Sequence, residues 1–450
     1  MTDLIISGGR VVTSNRVFDA DVAVTDGTIT GIGDATAFEP ADRRVDVTDR
    51  FVLPGVVDPH VHINGPNSVE TYETGTAAAA VGGVTTCITF AWQTRSDRPE
   101  VESIPESIRW QREAGTDSRI DFGLHAVITS EDVAGDEVDA AIDAGVPSFK
   151  LFTAYDFGVS AGGIERAFEA IGARDGVALV HTEDASVCEA RTEDLQNTSD
   201  GGNPDRYPES RPIHAEAMAA DDAIRLAREA DCRYYGMHTS GEMSADAIAN
   251  HADDSRVRAE TCTHYLTLDE SVYGELGSVA MMAPPVRRPR DADVLFDRLK
   301  RDELQVVSTD HVAFERASKE VEDWWDSEFG VNSLRWSLPV FHDEAVVNRE
   351  FTYPDLVRLM CTNPARTFGL PQKGSLTPGT DADIVIFDPN ATQTVDAEES
   401  ASIADYSIYQ DRAVRGRVDK TFVRGRLVAE GGDPTATTGH GEYIQRGLPT

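Results

Sequence analysis

Eight apolar runs rich in β-branched and aromatic residues recur between positions 51 and 312, and they limit the fold more than any other feature: FVLPGVVDPH, VTTCITF, IDFGLHAVI, SFKLFTAY, VALVHTE, CRYYGMHT, RVRAETCTH and LQVVSTDHV. Amphipathic windows separate them. In GGIERAFEAIGARDG, Ile164, Ala167, Phe168 and Ile171 fall at i, i+3, i+4 and i+7 with charges on the opposite face, the pattern of a helix that buries one stripe. IPESIRWQREAG, IHAEAMAADDAIRLAREAD and ADAIANHADD read the same way. Strands apolar on both faces, alternating with helices, make a parallel sheet, and eight such units predict a closed (β/α)8 barrel.

Short alternating strands (LIISGGRVVTS, ADVAVTDGTITGIG) precede the barrel, and others (ADIVIFDP, RVDKTFVRGRLVAEG) follow it. The two stretches are expected to pair into one small β-sandwich domain. The expected boundaries are 1–53 plus 371–430 for the sandwich, 54–370 for the barrel and 431–450 for a tail. Two long connections, 184–212 and 265–289, lack strong periodicity and follow strands. In a barrel they lie over the C-terminal mouth, where active sites sit, so they are candidate substrate loops.

The polar residues near the ends of these runs form a pattern. His60 and His62 end the first run, Lys150 lies in the fourth, His181 in the fifth, His238 in the sixth and Asp310 in the eighth. Strand residues i and i+2 share a face, so His60 and His62 can grip one cation. A lone histidine at a strand end is more often an ordinary polar residue with a bonded imidazole, and His125, His264 and His311 are read that way. Four histidines in one relative position are read as metal ligands.

Only five of the 41 basic residues are lysines. Lys150 lies inside the apolar stretch SFKLF, where burying an ammonium is costly. It can snorkel, pair with an acid, or react with carbon dioxide to become a carbamate that bridges two cations. The last state balances charge: two divalent ions, the carbamate, Asp310 and a hydroxide sum to about +1.

Acids outnumber bases 78 to 41, a formal charge of -37. Such a surface repels nucleic acid and anionic membrane. Arginine in place of lysine beside abundant carboxylates resembles proteins of salt-loving organisms, where salt screens the self-repulsion. Five scattered cysteines (Cys87, Cys188, Cys232, Cys262, Cys361) without C-x-x-C spacing exclude a disulfide framework and a thiolate zinc site. With no cationic apolar start and no run of about 18 apolar residues, the expectation is a soluble, cytoplasmic protein.

DPHVH, GGVTT at 82–86, FKLFTAY, LVHTED, MHTS, ETCTHY, STDH and the tail GSLTPGTDADIVIFDP together resemble the cyclic amidohydrolases: dihydropyrimidinase, hydantoinase, allantoinase and dihydroorotase. The resemblance runs from about residue 3 to 430. It implies two metal ions, usually zinc. His60 and His62 bind one, His181 and His238 the other, carbamylated Lys150 bridges, and Asp310 completes the shell of the first ion and shuttles the proton. It also implies that Tyr155 donates to the oxyanion, and that backbone around Ala283 and Asn332 holds the imide edge of the ring. A tyrosine at 155 resembles dihydropyrimidinases and hydantoinases, which makes a small cyclic amide of that kind the expected substrate. HINGPNSVETYETGTAAAAVGGVTT looks equally like allantoinases, so allantoin is the runner-up. INGPN after DPHVH lacks the arginine of dihydroorotases, and a filled ligand set argues against the non-catalytic relatives. Lys150 argues against a single-metal deaminase. Relatives of this kind are commonly tetramers, so a homo-oligomer, tetramer or dimer, is expected.

Overall fold

The computed structural model describes residues 2–38, 40–94, 102–131 and 135–449. Eight parallel strands form one sheet in chain order: β1 Val56–Asp58, β2 Val84–Ala91, β3 Asp121–Val127, β4 Ser148–Phe152, β5 Val177–His181, β6 Arg233–Gly236, β7 Val257–Cys262 and β8 Val306–Ser308. Helices separate successive strands, and β1 and β8 meet at their C-terminal ends. There His311 pairs with Val61 and Val312 with His62, in parallel. The seam of the (β/α)8 barrel therefore closes at His62, one of the residues read from the sequence as a metal ligand. The helix predicted over residues 162–176 is Ala161–Gly172, and it buries Ile164, Ala167, Phe168 and Ile171.

Alternation along the strands sets what the barrel holds. In β4, Phe149 and Leu151 pack outward into the large core beneath the helices, while Phe152 packs inward with Val57, Phe90, Leu179, Tyr235, Met237 and Phe368. Ser148 and Lys150 share the inward face of Phe152.

The bracketing segments do form a sandwich. Thr28–Gly33, Asp21–Thr25, Thr2–Ser7 and Ala41–Asp46 make one sheet; the other joins strands from both termini, with Phe51–Pro54 between Ile384–Thr394 and Arg10–Val12. Leu4, Ile6, Val24, Val52, Ile384 and Phe422 fill the space between them. The first apolar run is thus two strands, one per domain. Gly55 is the crossing point: a Cβ there would lie 1.9 Å from Thr85 Oγ1.

The two connections read as loops carry short helices: Ala185–Gln196 and Tyr207–Ser210 in one, Thr263–Thr267 and Val272–Leu276 at the other. Ala185–Gln196 buries only Cys188 and Leu195, which is why its periodicity is faint. Asp184 caps it by accepting from the Val187 N–H. All five cysteines are free and buried. Among the described residues no helix is long and apolar enough to cross a membrane.

Candidate metal centre

At the mouth, His60 is held at both ring nitrogens: Nδ1 lies 2.5 Å from Glu260 and Nε2 2.9 Å from Asp310. His62 Nε2 lies 3.4 Å from the same Asp310 oxygen, and Asn67 contacts its Nδ1 at 3.2 Å. Ligand atoms of His60, His62 and Asp310 all fall within 4.8 Å of one another. Burial pulls His60 toward neutrality, but Asp310 and Glu260 outweigh it and raise its pKa to about 9. The site thus holds a proton on Nε2 where a divalent cation fits as well. His62, with fewer carboxylates near, is lowered to about 4 by burial.

A second pair faces the first. His181 Nδ1 lies 2.9 Å from His238 Nε2, and His60 and His238 have ring centroids 5.5 Å apart. Glu183 stands 2.9 Å from His181 Nε2, so the proton of His181 sits on Nε2 and the lone pair on Nδ1 faces His238. Burial lowers both histidines below their ordinary value, His238 far below it. Neutral imidazoles with converging nitrogens fit a cation.

Lys150 is 1% exposed. Its Nζ contacts the Met237 sulfur at 2.7 Å and the Phe152 ring at 4.5 Å, and among the described residues no carboxylate pairs with it. The other buried lysines are different. Lys373 pairs with Asp121, Asp381 and Asp383, and Lys319 donates to the carbonyls of Met281, Glu328 and Gly330. Burial lowers Lys150 to about 7 although Asp310 and Glu260 pull it upward. A large share is therefore the neutral amine, the form that adds to carbon dioxide.

Three of these positions carry left-handed backbone: Tyr155 at φ 73°, His238 at 37° and Asp310 at 46°. Each costs about 1–2 kcal/mol in an L residue, strain typical of groups that the surroundings aim. Tyr155 is 36% exposed. Its ring lies 5.0 Å from that of His181, with the Arg211 guanidinium 5.1 Å over its face. Burial of the phenol raises its pKa despite Arg211, so it is a donor at neutral pH. Trp92, Phe152 and Phe157 form an aromatic wall beside it, with centroids 5.0 to 5.7 Å apart.

Ala283 is half-buried and precedes Pro284 through a cis peptide bond. Asn332 is buried, its Nδ2 donating to the Tyr406 carbonyl at 3.2 Å. The Gly330 N–H donates to the Met281 carbonyl at 2.9 Å, which joins the two segments.

Sequence reasoning assigned no role to Glu260 or Glu183. Glu260 also accepts from the Tyr235 hydroxyl at 2.8 Å, and Glu183 pairs with Arg211 at 2.5 Å. The available signal was a glutamate inside an apolar strand and another two residues after a ligand. The reading of His264 as a bonded histidine is corrected: it is fully buried, and neither ring nitrogen has a hydrogen-bond partner among the described residues. His125 and His311 are bonded as expected. A cleft of about 1240 Å³ lies far from this chemistry, between Thr13–Arg16 and the segment 369–378.

A model of the amidohydrolase family matches residues 51–428. The chain belongs to the amidohydrolase family. This amidohydrolase is 33% identical over 469 residues to a D-hydantoinase of Streptomyces coelicolor, covering 98% of this chain and 97% of the relative. It is 30% identical over 440 residues to an allantoinase of Salmonella choleraesuis, covering 95% of each. Its backbone superposes on the dihydropyrimidinase of Brevibacillus agri with a TM-score of 0.94 at 27% identity, over 100% of both chains. A D-hydantoinase of a Bacillus species gives 0.93 at 29%, over 99% of both. The chain is a metal-dependent cyclic amidohydrolase, and the expected barrel with a sandwich holds.

Proposed function

We propose that this enzyme opens the ring of a hydantoin or dihydropyrimidine. His60, His62 and Asp310 would hold one zinc ion, His181 and His238 a second, with a carbamate on Lys150 between them. When bound, such ions supply a water acidified toward neutral pH and polarise the scissile carbonyl. The observation that carries the reading is Lys150: fully buried, lowered to about 7, and facing a thioether and a ring where the other buried lysines have carboxylates or carbonyls.

The chain's own groups supply the rest. Asp310, ionised because His60 and His62 outweigh its burial, takes a proton at Oδ2, the oxygen not facing the two imidazoles, and returns it to the leaving nitrogen. The Tyr155 hydroxyl donates to the carbonyl oxygen as negative charge develops there. Backbone around Ala283 and Asn332 holds the imide edge, and Trp92, Phe152 and Phe157 cover a substituent and exclude water.

Hydrolysis of dihydrouracil, hydantoin, allantoin and dihydroorotate, assayed side by side at high salt, tests the assignment. Turnover of hydantoin or dihydrouracil above the other two supports it. The allantoinase relatives make allantoin the second reading, and preferential turnover of allantoin would establish that instead.

A further inference from the structure

The C-terminal segment runs beneath the barrel and enters its wall. β3 and β4 pair at only two positions, Ala126 with Phe149 and Val127 with Lys150, whereas β4 and β5 pair at five. Below those two pairs the tail fills the gap. Phe122 N–H donates to the Glu442 carbonyl at 3.0 Å, Ile444 N–H to the Phe122 carbonyl at 2.8 Å, and Arg446 N–H to the Gly145 carbonyl at 3.0 Å.

This pairing delivers Arg446 to the barrel floor, where it is 4% exposed. Among the described residues its guanidinium has no carboxylate partner. It donates to neutral acceptors: the Leu124 carbonyl, the Phe368 carbonyl at 3.3 Å and Ser148 Oγ at 2.6 Å. A buried guanidinium without a counter-ion is expensive, so its placement needs a reason beyond packing.

The contacts continue upward. Ser148 Oγ accepts from Arg446 with one of its two lone pairs, and its own proton goes to His125 Nδ1 at 2.7 Å, because the Pro59 carbonyl facing the other ring nitrogen can only accept. His125 then carries its proton on Nε2, which lies 2.9 Å from the Pro59 carbonyl. The same Pro59–His60 peptide is held on its other side, where His60 N–H donates to Asp58 Oδ1 at 3.1 Å. Ser148 also lies two residues before Lys150, on the same inward face of β4.

We propose that Arg446 is a positioning residue of the metal centre: through Ser148 and His125 it fixes the plane of the Pro59–His60 peptide, and so the aim of the first ligand histidine. The guanidinium can only donate, so the serine proton cannot point at it and is left for His125 Nδ1. With Nδ1 accepting, His125 Nε2 keeps the donor that the Pro59 carbonyl needs. The inference rests on the two-ion reading above.

The test is chelator-driven release of metal from the purified full chain, loaded with zinc, for Arg446→Met, Arg446→Lys, Ser148→Ala and His125→Phe. Arg446→Met keeps length without charge, and His125→Phe keeps the ring between Phe90 and Phe368. The phase belonging to the His60–His62–Asp310 ion is identified by its absence in Asp310→Asn. The expected result is faster release of that ion alone, by about 10-fold or more, in Arg446→Met, Ser148→Ala and His125→Phe, with substantial recovery in Arg446→Lys. Unchanged release in all variants overturns the proposal. Equal acceleration of both ions with a lowered unfolding midpoint also overturns it, because the tail is then a strap and nothing more. If Arg446→Met fails to fold, Ser148→Ala and His125→Phe decide the matter from the other end. Wild-type protein that retains no stoichiometric metal defeats the two-ion reading itself.

Discussion

Lys150 Nζ lies 2.7 Å from the sulfur of Met237, a partner that satisfies neither its charge nor its three donors. An ammonium buried in that way is disfavoured. The cations proposed to sit among the surrounding histidines and Asp310 would make an anionic form of the same side chain the better occupant.

Tyr155→Phe removes the proposed oxyanion donor and leaves the stacking on Phe157, at 5.2 Å, in place. We expect kcat to fall by about 10²-fold or more, with metal content unchanged. A kcat equal to wild type would assign Tyr155 to packing.

In the proposed two-ion centre Glu260 and Glu183 would orient ligands of different ions, through His60 and His181. Glu260→Gln should weaken the ion held with His60, and Glu183→Gln the ion held by His181, each by about 10- to 100-fold. Metal titration of the two variants checks this. Identical losses at both positions would show that the carboxylates act on the fold and not on individual ligands.

Lys319 ties the Met281 segment to the Gly330 segment beside it. Its Nζ donates to three carbonyls at 2.7 to 2.8 Å, which takes all three N–H groups of the ammonium. Lys319→Met removes those donors and should lower stability by about 1–3 kcal/mol, read as a fall in the denaturant midpoint. A midpoint equal to wild type would contradict the assignment.

The barrel was legible because its strands are apolar on both faces and its helices carry a strong stripe, so Ile164 to Ile171 announce their own burial. The candidate ligands were legible because strand alternation places His60 with His62 and because Lys150 interrupts an apolar run. Glu260 and Glu183 were harder to find, since a carboxylate gains meaning only from the imidazole it meets across the barrel. The tail was illegible for a different reason. Residues 441–447 join the wall through main-chain hydrogen bonds, which leave no hydrophobic period, and Arg446 reads as one arginine among many.

The most direct measurement is the metal content of Lys150→Ala beside that of wild type, both purified with zinc and bicarbonate. Wild type should hold two equivalents per chain. The variant should hold at most one and be inactive until a short carboxylic acid is added to take the bridging place. A Lys150→Ala protein that keeps two equivalents and wild-type activity without any added acid would contradict the account.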